Sequence, residues 1–231
     1  KYVFIALFLS FTENLFCQLD GTLDETYGIS GKISLPISAA DFIIYDAKIL
    51  EDQSIICTGL IKETSLSSQD IFVAKINSDG KFDTNFNGVG WTSIDIDEKN
   101  QYAESLALQM DGKIVVGGIF ADFHGTAIHG IMRLNNDGTL DPSFDTGAGF
   151  DHGIEKVLIQ PDGKILVVGF FHSYDGISRH RIVRINNDGT PDLTFDAGNW
   201  LCAISALALQ PDGKIVIGGT QDTPSGIENS L

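Results

Sequence analysis

The stretch ALQPDGKIVIGG, residues 208–219, decides the architecture. It consists of two short apolar runs hinged on Pro-Asp-Gly. Nearly the same words stand at 107–118 (ALQMDGKIVVGG) and at 158–169 (LIQPDGKILVVG). An Asp-Gly pair can take positive φ at both central positions of a two-residue type I′ turn, so each copy is expected to be a β-hairpin. Apolar and polar residues alternate in places around it, with Leu207 and Leu209 before and Ile215 and Ile217 after, as hairpin strands require. Glycine follows each time, at Gly117-Gly118, Gly169 and Gly218-Gly219, where it permits close backbone approach.

A second phrase accompanies the first: INSDGKFDTNF at 76–86, LNNDGTLDPSF at 134–144 and INNDGTPDLTF at 185–195. A worn copy, LDGTLDETY, stands at 19–27, and a worn copy of the first phrase, EDQSIICTG, at 51–59. The Asp of the second phrase falls at Asp20, Asp79, Asp137 and Asp188, a period of fifty to sixty residues. Self-similarity at a fixed period of this size marks an array of supersecondary units. Each period supplies about four short strands and no helical stretch. The expectation is an all-β chain, a β-propeller of four-stranded antiparallel blades with about four repeats present. The periods run 19–78, 79–136, 137–187 and 188–231, the last cut short in mid-blade. That favours a piece of a larger propeller over a four-bladed ring closed by the segment that begins LDGTLDETYG.

The pairing of ALQPDGKIVIGG with IVRINNDGTPDLTFDAG resembles the delta-60 repeat, a β-propeller repeat of bacterial secreted and surface proteins. The resemblance covers residues 19–231 and implies a fold. It assigns no activity to particular residues. The first repeat departs furthest, with Asp52-Gln53 where the others have Asp-Gly and an inserted TSLSSQ at 64–69.

Hydrophobic residues make up 43% of the chain and glycine is frequent at 25 residues, a mix that suits short strands and many turns. The formal charge of −16 repels phosphate backbones and anionic lipid, so no nucleic-acid partner is expected. Residues 1–18 read as a secretory signal peptide: Lys1, an apolar run of about ten residues, then cleavage near Cys17 or Gln18. The run is too short to span a bilayer, which needs about twenty residues. The mature chain, 19–231, is therefore expected to be secreted or at the cell surface, without a membrane span. The bulky Phe16 argues against lipidation of Cys17. Cys57 aligns with Val116 and reads as a buried small hydrophobe, and nothing in the spacing supports a disulfide to Cys202.

The acidic turns around Asp137 and Asp188 superficially match calcium loops, but Arg133 and Arg184 stand where the first ligand would be. Both aspartates are better read as turn formers. Asp141 and Asp192 recur in step with Arg133 and Arg184 and are expected to pair with them. His129 and His180 share a repeat position, while His124, His152 and His172 do not, and no short-range ligand spacing links them. They read as loop histidines rather than zinc ligands, and no cofactor is expected. The longer loops at 120–130 and 170–180 align Phe123 with Tyr174 and His124 with Asp175. These four are the candidate ligand-facing residues, against the reading that the aromatics pack between blades.

Enzyme templates fail: there is no G-x-S-x-G, no P-loop, and Trp91 and Trp200 occupy unrelated repeat positions. The sequence favours a binding or scaffolding module for a protein or carbohydrate ligand, more a binder than an enzyme. The alternatives are a carbohydrate-active hydrolase or lyase with acids at the channel mouth, and a calcium-stiffened adhesin. A cluster of inward-facing carboxylates would favour the enzyme.

Overall fold

The computed structural model describes residues 40–63, 69–94, 102–123, 126–127, 129–198, 203–223 and 226–230. The leader, the worn phrase at 19–27, most of the 64–69 insertion, His124, Trp200 and Cys202 lie outside them. Every regular element among the described residues is a strand, and no helix there is long and apolar enough to cross a membrane.

The first sheet holds β1 (Ala40–Ile49), β2 (Ile55–Glu63), β3 (Gln69–Ile76) and β4 (Trp91–Ile94), each antiparallel to the next. The second is built from β5 (Tyr102–Leu108), β6 (Ile114–Ile119) and, after a small hairpin of β7 (Asp122–Phe123) and β8 (Thr126–Ala127), β9 (Ile131–Leu134). The third repeats that plan with β10 (Ile154–Ile159), β11 (Ile165–Gly169), the hairpin β12 (Ser173–Tyr174) and β13 (Ile177–Ser178), and β14 (Ile182–Ile185). The fourth holds β15 (Ala203–Leu209), β16 (Ile215–Thr223) and β17 (Gly226–Ser230).

Among the described residues only the first sheet has the expected four strands. In the second, β9 is followed by a single bridge from Leu134 to Leu140, and the chain then leaves for the next sheet, where Phe150 bridges to Tyr174. Across the seam Asp145 N binds Asp188 O at 2.8 Å, as Asn87 N binds Asp137 O at 2.6 Å after the first sheet, and Phe150 N binds His129 O at 3.0 Å.

The Asp-Gly turns also differ from expectation. At the first phrase Gly112 N donates to Gln109 O at 3.0 Å and Gln109 N to Lys113 O at 2.9 Å, so the loop has three residues, not two. It is a type I turn followed by one left-handed residue. Only the glycine takes positive φ (Gly112, 84°), while the Asp111 carboxylate accepts from Lys113 N at 3.2 Å. The same pair of backbone bonds closes 160–164 and 210–214, and it closes the second phrase at 77–81, 135–139 and 186–190. In the worn copy Gln53 takes the glycine's place, with φ of 65°. A two-residue turn with both residues at positive φ does occur, at Asp175 (48°) and Gly176 (72°) between β12 and β13.

Successive sheets pack face to face, so β6 and β11 are buried on both sides, while Val216 of β16 in the fourth sheet is exposed. Along β6, Ile114 and Val116 join the cluster facing the first sheet with Ile71, Phe86 and Leu106, while Val115 joins Ile154, Val167 and Tyr174 of the third. That is the period-two geometry of a strand with two covered faces. The first strands β1, β5, β10 and β15 lie side by side in sequence order along one edge of the stack.

Candidate functional site

Three polar constructions recur from sheet to sheet. The first is an ionic clasp. Asp141 accepts from Ser143 N and Oγ at 3.0 and 2.7 Å with one oxygen, and with the other from Arg133 Nε at 2.8 Å and Lys113 Nζ at 2.7 Å. Asp192 does the same with Thr194, Arg184 and Lys164. Each guanidinium also lies over a phenyl ring, Arg133 on Phe144 at 4.7 Å and Arg184 on Phe195 at 4.8 Å. The expected Arg–Asp pairs are therefore formed. The Lys of Asp-Gly-Lys is a third member that the sequence did not disclose. In the first sheet Lys75 replaces the Arg and holds Asp83 at 3.2 Å. Burial pushes the Asp141 carboxyl up, but the Lys113 and Ser143 donors and the Arg133 charge outweigh it and hold it far below the usual range. Asp137 and Asp188 are turn formers, each accepting from the threonine two residues on.

The second construction stitches sheets together. Arg133 donates to Asn187 O of the third sheet, where Gln109 Nε2 also meets Asn187 Oδ1 at 2.5 Å. Along the first strands, Asp46 accepts from Leu106 N at 3.0 Å and Ser105 Oγ from Val157 N at 3.3 Å.

The third is a β-bulge in every first strand. The register slips between Ile44 and Asp46, Ala103 and Ser105, Ile154 and Lys156, and Ile204 and Ala206. The extra residues are Tyr45, Glu104, Glu155 and Ser205. Opposite each bulge sits the glycine that closes the Gly-Gly signature. A Cβ at Gly59, Gly118, Gly169 or Gly219 would overlap the backbone carbonyl of Ile43, Tyr102, Gly153 or Ala203. The close approach inferred from the sequence is thus real, and its partner is the bulged strand of the same sheet.

Bulges re-aim side chains, and the bulge residues Tyr45, Glu104 and Glu155 share the row of first strands with Tyr102, Tyr45 exposed and the others half-buried. The Tyr45 and Tyr102 rings lie 5.7 Å apart at 45°. Burial raises the Glu104 and Glu155 pKa values; Asp46 adds to the first and Glu104 to the second, with Lys156 opposing both. Burial and the neighbouring glutamates likewise raise both tyrosines.

Of the four loop residues proposed from sequence, Tyr174 needs correction. Its ring is fully buried against Phe150, which packs in turn on Phe171, and its hydroxyl donates to Gly189 O. A side chain so enclosed packs the seam and cannot face a ligand. Asp175 is exposed, but its carboxylate is occupied by Ala148 N at 3.0 Å. Phe123 pairs with Thr126 through the backbone of β7 and β8, and His124 lies outside the described residues. Cys57 is free and buried, and burial pushes its thiol up to about 12.

The structure also assembles histidines that the sequence left scattered. Asp151, His152 and His172 each bring a ligand atom within 4.8 Å of the others. His180 stacks edge-on against His172 with centroids 5.6 Å apart.

A family model described as a domain of unknown function (DUF5122) beta-propeller matches residues 55–86, 109–144, 160–195 and 210–227, more than half of the chain. The chain belongs to this family. No curated protein matches. Among solved structures, one titled "Streptogramin B lyase structure" is similar over 86% of this chain and 70% of its own, with 16% identity and a TM-score of 0.39. The DUF5122 segments contain the second- and third-strand turns and the ionic clasps. Tyr45 precedes the first segment, and Tyr102, Glu104, Asp151, His152 and Glu155 fall between segments.

Proposed function

We propose that this DUF5122 propeller is a secreted or surface-exposed binding module and that its ligand, a carbohydrate, seats on the row of first strands. The observation that carries this reading is the bulge-aligned group of Tyr45, Tyr102, Glu104 and Glu155. Tyrosine rings offer flat apolar faces with a polar edge, which suit the faces of a sugar ring. Glu104 and Glu155 have pKa values raised by burial and by a neighbouring carboxylate, Asp46 and Glu104 in turn, and sugar hydroxyls would supply them with donors without adding charge. The secretory leader read at 1–18 and the likeness to delta-60 repeats support the location. The test is a glycan array on the untagged chain, followed by calorimetry on the best ligand. Glu104→Gln and Tyr102→Ala are each expected to weaken binding at least tenfold, and binding that survives both would sink the site.

A second reading, hydrolase or lyase action on the same ligand, is favoured by the elevated Glu104, a condition a general acid needs. Incubating the bound glycan with the chain and weighing the products distinguishes the two: an unchanged mass leaves a binder.

A further inference from the structure

The loop that enters β10 carries Asp151 and His152, and the loop that leaves β11 carries His172. Those strands pair antiparallel, so the start of one lies beside the end of the other, and the hairpin closes a gap of twenty residues. Asp151 is fixed first. Its Oδ1 accepts from His172 N at 2.8 Å and Ser173 N at 3.1 Å, which holds the carboxylate on the rim. Its Oδ2 then faces two imidazoles, 3.5 Å from His152 Nδ1 and 3.7 Å from His172 Nδ1. The two rings meet edge to face at 5.0 Å, and His180 stands beyond His172.

We propose that Asp151, His152 and His172 form a binding site for a zinc ion, with His180 or water completing the coordination. Two imidazole nitrogens and one carboxylate oxygen are a donor set that zinc accepts. Bonds of about 2.0–2.1 Å in a tetrahedral site put donor atoms roughly 3.3 Å apart. The donor atoms lie within 4.8 Å of one another, and both imidazoles are exposed, which leaves their rings room to turn toward a shared ion. The carboxylate is already oriented by its backbone donors, the kind of outer support that metal ligands need. Two imidazole nitrogens and a carboxylate oxygen, carried by two different loops, converge on one point of the rim, where a single ion can engage all three at once. The bound ion would tie the 170–181 loop, which carries the β12–β13 hairpin, to the entry of β10. Where water rather than His180 completes the coordination, that position is open to an external ligand. This site is separate from the first-strand row, and neither depends on the other.

Cobalt(II) is the probe, titrated into the untagged full chain at pH 7.5 and followed by its visible absorption. One equivalent should give the intense bands of a tetrahedral ion, and zinc should displace them. His152→Ala and His172→Ala should each abolish the signal, and Asp151→Asn should weaken it at least tenfold. His129→Asn, outside the cluster and able to keep a left-handed backbone, should leave it unchanged. Lowering the pH to 5 should release the ion as protons compete for the imidazoles. Absence of a stoichiometric signal in the unaltered chain overturns the proposal. So does a signal that persists in both histidine variants.

Discussion

Arg133 donates to the backbone carbonyl of Asn187 in the neighbouring sheet while its Nε holds Asp141 of its own sheet at 2.8 Å. One guanidinium therefore serves an intrasheet clasp and an intersheet stitch. Fixed charges are tolerated in this buried seam because each finds its partners there.

Removing one partner should be costly. Asp141→Asn leaves Arg133 and Lys113 facing each other without a counter-charge, and a broken buried pair costs about 3–5 kcal/mol. The loss should appear as a lower urea midpoint. The pH dependence has a defined sign. Lys164 and Thr194 hold Asp192 far below the usual range, and Asp141 is held low against its burial. A carboxyl with a depressed folded pKa contributes stability above its unfolded value of about 3.9, and that stability is lost as pH falls toward the folded value. Urea midpoints should fall steeply below pH 4. The fall should be shallower in Asp141→Asn.

Glu104 and Glu155 have the opposite sign. Their folded pKa values are raised, so ionising them costs stability as pH rises through the folded values. Glu104→Gln and Glu155→Gln are expected to melt at or above the parent temperature at pH 7 and to lose the advantage near pH 4. A variant that binds less and melts higher is the mark of a site kept strained for function. Calorimetric scans at the two pH values decide it.

The turn glycines separate two kinds of cost. Gly163 has φ of 83° and open space around it, so Gly163→Ala should cost only the left-handed strain, about 1 kcal/mol. Gln53→Gly in the worn copy should recover about the same amount. Gly169→Ala drives a methyl into the carbonyl of Gly153, which is backbone and cannot swing away, and should cost more than about 2 kcal/mol. Equilibrium urea unfolding of the three variants gives the ranking.

Cys57 should be inert in the native chain. It is buried with a thiol pushed up to about 12, so the thiolate needed for attack is scarce at pH 8. Alkylation followed by peptide mass mapping should leave it unmodified until denaturant is added. Rapid native labelling would show that the second strand of the first sheet opens readily.

The repeat made the stack legible because both phrases carry their own turn chemistry, and the Arg–Asp spacing announced the clasp. The turn type was misjudged because Asp-Gly suits two loops, and a two-letter word does not say which. At Asp111-Gly112 the carboxylate turns back to Lys113 N and only glycine goes left-handed. At Asp175-Gly176 both residues do. The bulges were invisible because an inserted residue on a first strand looks like any other residue. Their trace was the second glycine of Gly-Gly, whose partner could be named only from the register. The histidine cluster failed the test of short-range spacing. Counting outward from the Gln160–Lys164 closure would have brought His152 level with the start of the 171–180 loop.

The stitches have a consequence for how such a chain can grow. Each joins a donor or acceptor on one sheet to a turn or strand on the next, so the second sheet carries the forward half of one joint and the backward half of another. A tandem copy of one period arrives with both halves already compatible with its neighbours. Lengthening the array by duplication invents no new interface, and the molecule behaves like a hinge chain whose links are interchangeable. The residues free to differ are those that clasp nothing, and Tyr45, Glu104, Glu155 and Ser205 occupy one such position in four consecutive links.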